Sequence, residues 1–177
     1  FNNFTNKGSE CLLNAVSGCL NFMKDSTLIF APNHNSYDRF STGAHAPTAI
    51  NWGYENRTTA IRVPGGPNIA KRIEHRVAGG DSNPYLVLTA ILGAALNGME
   101  SKIDPPKSIG GNGYESNGNT IIKDWKSAIE RFTSSQEIKK IFDPLLIRGL
   151  VDCKNQEFNY FKEKSYNEII QTTINAL

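Results

Sequence analysis

Residues 83 to 99, NPYLVLTAILGAALNGM, narrow the possible folds of this chain more than any other segment. Asn83 suits an N-cap, because its side chain can accept from the orphan N–H groups of a first helical turn. Pro84 suits the first helical position, where its missing N–H costs nothing. From Tyr85 to Leu96 the residues are apolar nearly all round, and Gly93, Ala94 and Ala95 permit a neighbour to approach closely. A membrane span needs about 20 apolar residues, so this helix is too short to be one. The pattern predicts a core helix over 84–99.

Two strand candidates stand just before it: Thr58 to Val63, ended by PGGP, and Lys71 to Val77, ended by AGGD. Gly65-Gly66 can supply the turn of an antiparallel pair, in a loop longer than a tight hairpin. In the second strand Ile73, His75 and Val77 alternate with Arg72, Glu74 and Arg76, so one face is apolar and the other charged. Glu10 to Lys24 has apolar residues at helical spacing, with Ser9 as N-cap. Leu28 to Ala31 is a short apolar run stopped by Pro32, and residues 32–54 read as an irregular ordered loop. Residues 104–119 form a second loop. Thr120 to Phe142 and Leu145 to Thr173 carry apolar stripes with charged outer faces, which predicts two or three helices.

A chain of 177 residues is long enough for one domain with a real core. Lys+Arg is 19 and Asp+Glu is 17, and this balance makes no case for nucleic acid or an acidic membrane as partner. The three cysteines, Cys11, Cys19 and Cys153, form no CxxC pair, which argues against a zinc site or a disulfide scaffold. Reduced thiols in a cytoplasm are the simplest reading. The sequons at Asn3 and Asn56 are read as chance. The chain starts at Phe1 without a charged and then apolar leader, and is expected to be a piece of something longer.

Between residues 57 and 76 lie Arg57, Arg62, Lys71, Arg72 and Arg76, with Glu74 as the only acid. Arginine's rigid fork suits bidentate contact with carboxylate or phosphate. A solvated basic hairpin would have the same composition. The adjacent apolar helix places the pair near the core, however, where unpaired charge is expensive, so external anions are expected. Glu74 is either a salt-bridge partner of Arg72 and Arg76 or one ligand of a hard divalent cation. Arg57 and Arg62 are five apart, so either Arg57 precedes the strand or a bulge intervenes. Arg39 beside Asp38 reads as a surface ion pair. His34, His45 and His75 lack metal-ligand spacing, and His75, on the apolar side, reads as structural. No P-loop and no GxGxxG after a strand is present.

The stretches FAPNHNSYDRF, APTAINWGYENRTTAIRVP, RIEHRVAGGDSNPYLVLTAILGAALNGME and GNGYE resemble the glutamine synthetase family, in its order and spacing, over about residues 9 to 115. The resemblance implies an α+β catalytic domain in which curved antiparallel strands form the active site. Residues 1–119 would carry the strands, loops and core helix, and residues 120–177 a helical tail. It implies ATP-dependent ligation of ammonia or an amine to the γ-carboxylate of glutamate through γ-glutamyl phosphate, with Mg2+ or Mn2+. By its motifs, Arg39 would hold glutamate, while Arg57 and Arg62 would hold ATP phosphates and the transferred group. Arg72 would lie near the nucleotide phosphates, Glu74 would be a metal ligand, and Arg76 would contact glutamate or the transferred phosphoryl. It also implies a homo-oligomeric ring of two stacked hexamers, a dodecamer.

Two departures shape the expectation. Ammonia-using members carry a glutamate on a flap where this chain has His45, which argues against ammonia as co-substrate, and WGYENRT and RIEHRVAGGDSNPYLVL resemble the branch that ligates glutamate to polyamines such as putrescine. The family's other metal-binding glutamates would lie upstream of Phe1, so this chain alone is expected to be inactive. A non-catalytic member would be the alternative, and the intact Arg/Glu set argues against it. Tyr114 aligns with a tyrosine that some bacterial members adenylylate, but the following ESNGN does not match, and an exposed loop tyrosine is the plainer reading.

Overall fold

The computed structural model describes residues 8–41, 43–116 and 119–175; Phe1 and the Asn3 sequon lie outside them. The architecture is mixed α+β. Helix α1 (Glu10–Met23) is capped by Ser9, whose side chain accepts from the Leu12 N–H. A short helix α2 (Thr27–Phe30) and a 3-10 turn (His34–Arg39) follow. Strands β1 (Trp52–Tyr54), β2 (Ile61–Val63) and β3 (Glu74–His75) form one sheet in the order β1-β2-β3. Helix α3 (Pro84–Ser101) begins as expected, with the Asn83 side chain accepting from the Tyr85 and Leu86 N–H groups. Helices α4 (Trp125–Ser134), α5 (Pro144–Phe161) and α6 (Tyr166–Asn175) make the C-terminal part mostly helical.

The antiparallel β2–β3 pair is shorter than its sequence pattern, with Ile61 opposite His75 and Arg62 opposite Glu74. β1 comes from a stretch read as loop, and it runs parallel to β2, with Trp52 opposite Ile61. A three-residue strand has too little alternation to announce itself. The loop at 104–116 is fastened along β1: Ile109 N–H donates to the Trp52 carbonyl at 2.8 Å, and Trp52 Nε1 donates to the Pro106 carbonyl at 2.7 Å. An isolated bridge from Ala49 to Thr120 ties the start of the helical tail to the strand region.

The core gathers Leu12, Val16, Phe22 and Met23 of α1 with Phe30, Ile61, Val63, Val77, Ile121, Phe132 and Ile138. Helices α1 and α3 cross with their backbones in contact. A Cβ on Gly18 would stand 2.0 Å from the Ala94 carbonyl oxygen, and one on Gly98 would stand 2.2 Å from that of Asn14. Only that side of α3 is buried, at Ala90, Ala94 and Gly98. The predicted core helix is thus buried along one side: Tyr85 is 81% exposed and Leu92 65%. The apolar pattern reports what α3 is suited to face, and among the described residues α1 covers one side of it. No helix among the described residues is long and apolar enough to cross a membrane. Cys11, Cys19 and Cys153 are free thiols, and burial pushes Cys19 up to about 12.

In an ordinary helix interior, Gly→Ala gains about 0.5–1 kcal/mol. At Gly98 the sign should reverse: the new Cβ meets backbone, and overpacking of this kind costs about 1–3 kcal/mol. Thermal unfolding of Gly98→Ala checks this, with a fall of several degrees in Tm expected.

Candidate functional site

The charged face of the sheet is assembled by strand register. Arg62 lies directly opposite Glu74, and side chains so placed are closer than neighbours two apart along one strand. Arg62 Nη1 donates to Glu74 Oε2 at 3.0 Å, and Arg76 Nε pairs with Glu74 Oε1 at 3.3 Å. Arg72, expected beside Glu74, is exposed and donates to the Ala70 carbonyl at 3.2 Å. The carboxylate is thus shared by Arg62 and Arg76, and the sequential partner Arg72 takes no part. The apolar face is as expected: Val77 is fully buried, and His75 stacks on Phe30 with ring centroids 4.6 Å apart.

Arg76 also donates from Nη1 to the carbonyls of Arg57 and Thr59, the latter at 3.0 Å. Arg57 precedes β2, in the turn between β1 and β2, which settles its spacing from Arg62 without a bulge. Asn56 shapes that turn. Its Oδ1 accepts from the Thr58 N–H at 2.9 Å and hydroxyl at 2.6 Å, and its Nδ2 donates to the carbonyls of Ile109 and Gly111. The Arg57 side chain itself is exposed.

Glu55, just outside the window read for charge, is the acid that inspection of residues 57–76 missed. Its carboxylate accepts from Arg62 Nη2 at 3.2 Å and from the Gly65 N–H. Burial opposes the charge on Arg62, but Glu55 and Glu74 outweigh it and raise the guanidinium pKa. Two guanidinium groups, Arg62 and Arg76, are thus paired with two carboxylates, Glu55 and Glu74, and Arg57 joins the cluster through its backbone carbonyl. Within it the charges balance, and the exposed side chains of Arg57 and Arg72 nearby in sequence are the groups left to meet an anion.

Arg39 shares no hydrogen bond or ion pair with Arg62, Glu74 or Arg76. The surface pair with Asp38 does not form; Asp38 instead accepts from the Tyr166 hydroxyl at 3.2 Å. Arg39 turns inward, donates to the Phe30 carbonyl at 2.7 Å and stacks on the Phe40 ring at 4.3 Å. Burial pulls its guanidinium below the ordinary value, and Asp81 opposes that pull. It borders a cavity of about 870 Å³ shared with Ser36, Asp81, Trp125 and Ile169. His45 is exposed on a loop with φ 59, and Tyr114 is half-buried in a short 3-10 turn, Gly113–Glu115.

No group of three His, Cys, Asp or Glu side chains placed to hold a metal occurs among the described residues. Glu74 fits as one ligand. It is 36% exposed and accepts one guanidinium bond per oxygen, which leaves a lone pair on each. The rest of a coordination sphere would have to come from outside the described residues.

The profile of the family described as "Glutamine synthetase, catalytic domain" matches residues 2–172. The chain is 34% identical over 154 residues to the gamma-glutamylputrescine synthetase PuuA of Escherichia coli, covering 87% of this chain and 33% of that protein. It is 36% identical over 153 residues to the gamma-glutamylethanolamide synthetase GlnA4 of Streptomyces coelicolor, covering 86% of this chain and 33% of that protein. The chain therefore spans about a third of the length of these curated relatives. Its fold matches the solved structure of apo GmaS without ligand at a TM-score of 0.76 and 24% identity, over 94% of this chain and 38% of that one.

Burial holds the His75 imidazole down at about 4, with its Nδ1 buried and unpartnered. The unfolded chain takes up this proton near pH 6.5 and the folded chain does not, so the difference is a loss of stability as pH falls from about 6.5 to about 4. It amounts to as much as about 3 kcal/mol. Tm measured against pH should fall less steeply over that window in His75→Leu than in the wild type.

Proposed function

Since the chain belongs to the glutamine synthetase catalytic-domain family, we propose that the whole protein joins ammonia or an amine to the γ-carboxylate of glutamate at the expense of ATP. A γ-carboxylate oxygen attacks the γ-phosphorus of ATP and ADP leaves. The amine nitrogen then attacks the acyl carbon of γ-glutamyl phosphate, and phosphate leaves with the oxygen that glutamate supplied. Negative charge develops on the transferred phosphoryl group, and fixed cations aimed at it are the efficient way to stabilise it.

The observation that carries this reading is the Arg62–Glu74–Arg76 bridge, in which two partly buried guanidinium groups are held on one carboxylate, with the Arg57 carbonyl accepting from Arg76. Arg62 and Arg76 face the transferred phosphoryl, and Arg57 and Arg72 reach the nucleotide phosphates from their exposed positions. Arg39 and Arg76 take glutamate. Glu74 contributes one ligand to Mg2+ or Mn2+, which when bound neutralises phosphate charge. The reading carries with it a cytoplasmic setting and a ring of two stacked hexamers.

Among acceptors, a primary amine such as putrescine is favoured over ammonia. His45 stands where a flap glutamate would serve ammonium, and the relatives named above are called synthetases of glutamyl amides of putrescine and ethanolamine.

ADP release by the full-length protein, with glutamate and ATP, should be at least tenfold faster with putrescine or ethanolamine than with ammonium, in keeping with the cost of leaving a built polar site unmatched. Ammonium-only activity would remove the amine reading, and no acceptor-dependent ADP release would remove ligation itself. Arg62→Lys replaces a two-pronged fork by a point charge and should lower kcat by roughly 100-fold or more.

A further inference from the structure

Glu55 has no part in the reaction described above, yet its surroundings are built around it. It follows the last β1 residue with φ 50, a left-handed backbone that disfavours any side chain with a Cβ. Its N–H donates to the Val63 carbonyl at 3.1 Å. Its carboxylate accepts from the Gly65 N–H and from Arg62 Nη2 at 3.2 and 3.4 Å. A Cβ on Gly65 would stand 3.2 Å from the Glu55 side chain, so the second turn is pressed against this carboxylate. The Gly65 N–H and then Arg62 hold its carboxyl below the usual range.

Stability does not account for the arrangement. The Glu55 side chain is 58% exposed, and ion pairs that wet add little to folding. What the contacts do is direct Arg62. One prong, Nη1, lies on Glu74, and the other, Nη2, lies on Glu55, while Nε is buried without a partner. With a carboxylate on each prong, the plane of the guanidinium has one orientation.

We propose that Glu55 is a positioning residue, holding the Arg62 guanidinium at the angle at which it meets the transferred phosphoryl group. The inference rests on the ligase reading above. Glu55 touches neither glutamate nor ATP in this role; it acts through Arg62.

The test uses the full-length protein with Glu55→Ala and Glu55→Gln, beside Arg62→Lys. Misdirecting a group that acts on the transition state lowers kcat more than it raises KM, so Glu55→Ala should lose about tenfold in kcat with KM for ATP changed less than about threefold. Glu55→Gln keeps a side-chain oxygen that can accept from both Arg62 and Gly65, and should recover most of that loss. Wild-type kcat in Glu55→Ala, while Arg62→Lys is impaired, overturns the positioning role and leaves the ligase reading standing. So does a fall in Tm shared by both Glu55 variants with kcat per folded molecule unchanged. Wild-type activity in Arg62→Lys overturns the ligase assignment of that arginine, and the role of Glu55 with it.

Discussion

The register of β2 against β3 is the constraint on which both the core and the charged face depend. Arg62 opposite Glu74 places Ile61 opposite His75 on the other face. Ile61, Val63 and Val77 are fully buried there, and His75 stacks on Phe30. A slip of one residue would send each of these side chains to the opposite face. It would bury guanidinium groups without a partner and expose the apolar set. The ion pair and the core therefore specify the same register, and neither can change without the other.

Around that register the chain fixes the approach of each charged residue by backbone contacts. The carbonyl of Phe30 accepts from the Gly79 N–H, the Ser82 hydroxyl and Arg39, joining the end of α2 to the segment between β3 and α3. The loop at 104–116 grips Asn56, and Asn56 shapes the turn that carries Arg57. Gly53 lies so close to this loop that a Cβ would stand 2.5 Å from the Ile109 carbonyl oxygen. The GNGYE motif thus has a structural task on the edge of the sheet: Gly113 N–H donates to the Thr58 hydroxyl, and its carbonyl accepts from Asn51. Sites held by rigid elements in this way keep the preorganisation that charge stabilisation needs.

Local chemistry was legible in the sequence, and long-range pairing was not. Ser9 and Asn83 cap the helices that their positions announce, and the alternation of Ile73, His75 and Val77 marks the face turned to the core, on which Val77 is fully buried and Ile73 and His75 are partly so. Glu74 is legible as the acid among arginines and Arg76 as one of its partners, but Arg62 takes the place expected of Arg72. Along the chain Arg72 is as near to it as Arg76; across the ladder Arg62 is nearer than Arg72, and register is invisible to a reading of one strand. Glu55 escaped for a related reason. It becomes a neighbour of Arg62 because β1 runs parallel to β2, a pairing that three residues could not advertise. The exposed side of α3 shows the converse: the pattern of Tyr85, Leu88 and Leu92 speaks of burial, while among the described residues α1 covers only the face of Ala90, Ala94 and Gly98.

The central claim is that this arginine cluster serves phosphoryl transfer onto the γ-carboxylate of glutamate. The most direct measurement follows an oxygen atom. Glutamate labelled with oxygen-18 in its γ-carboxylate is turned over by the full-length protein with ATP and an amine, and the released phosphate is analysed by mass. Passage through γ-glutamyl phosphate carries a single γ-carboxylate oxygen into each phosphate released. Phosphate that remains unlabelled while ADP accumulates would mean that water, and not glutamate, accepts the phosphoryl group, and would contradict the claim.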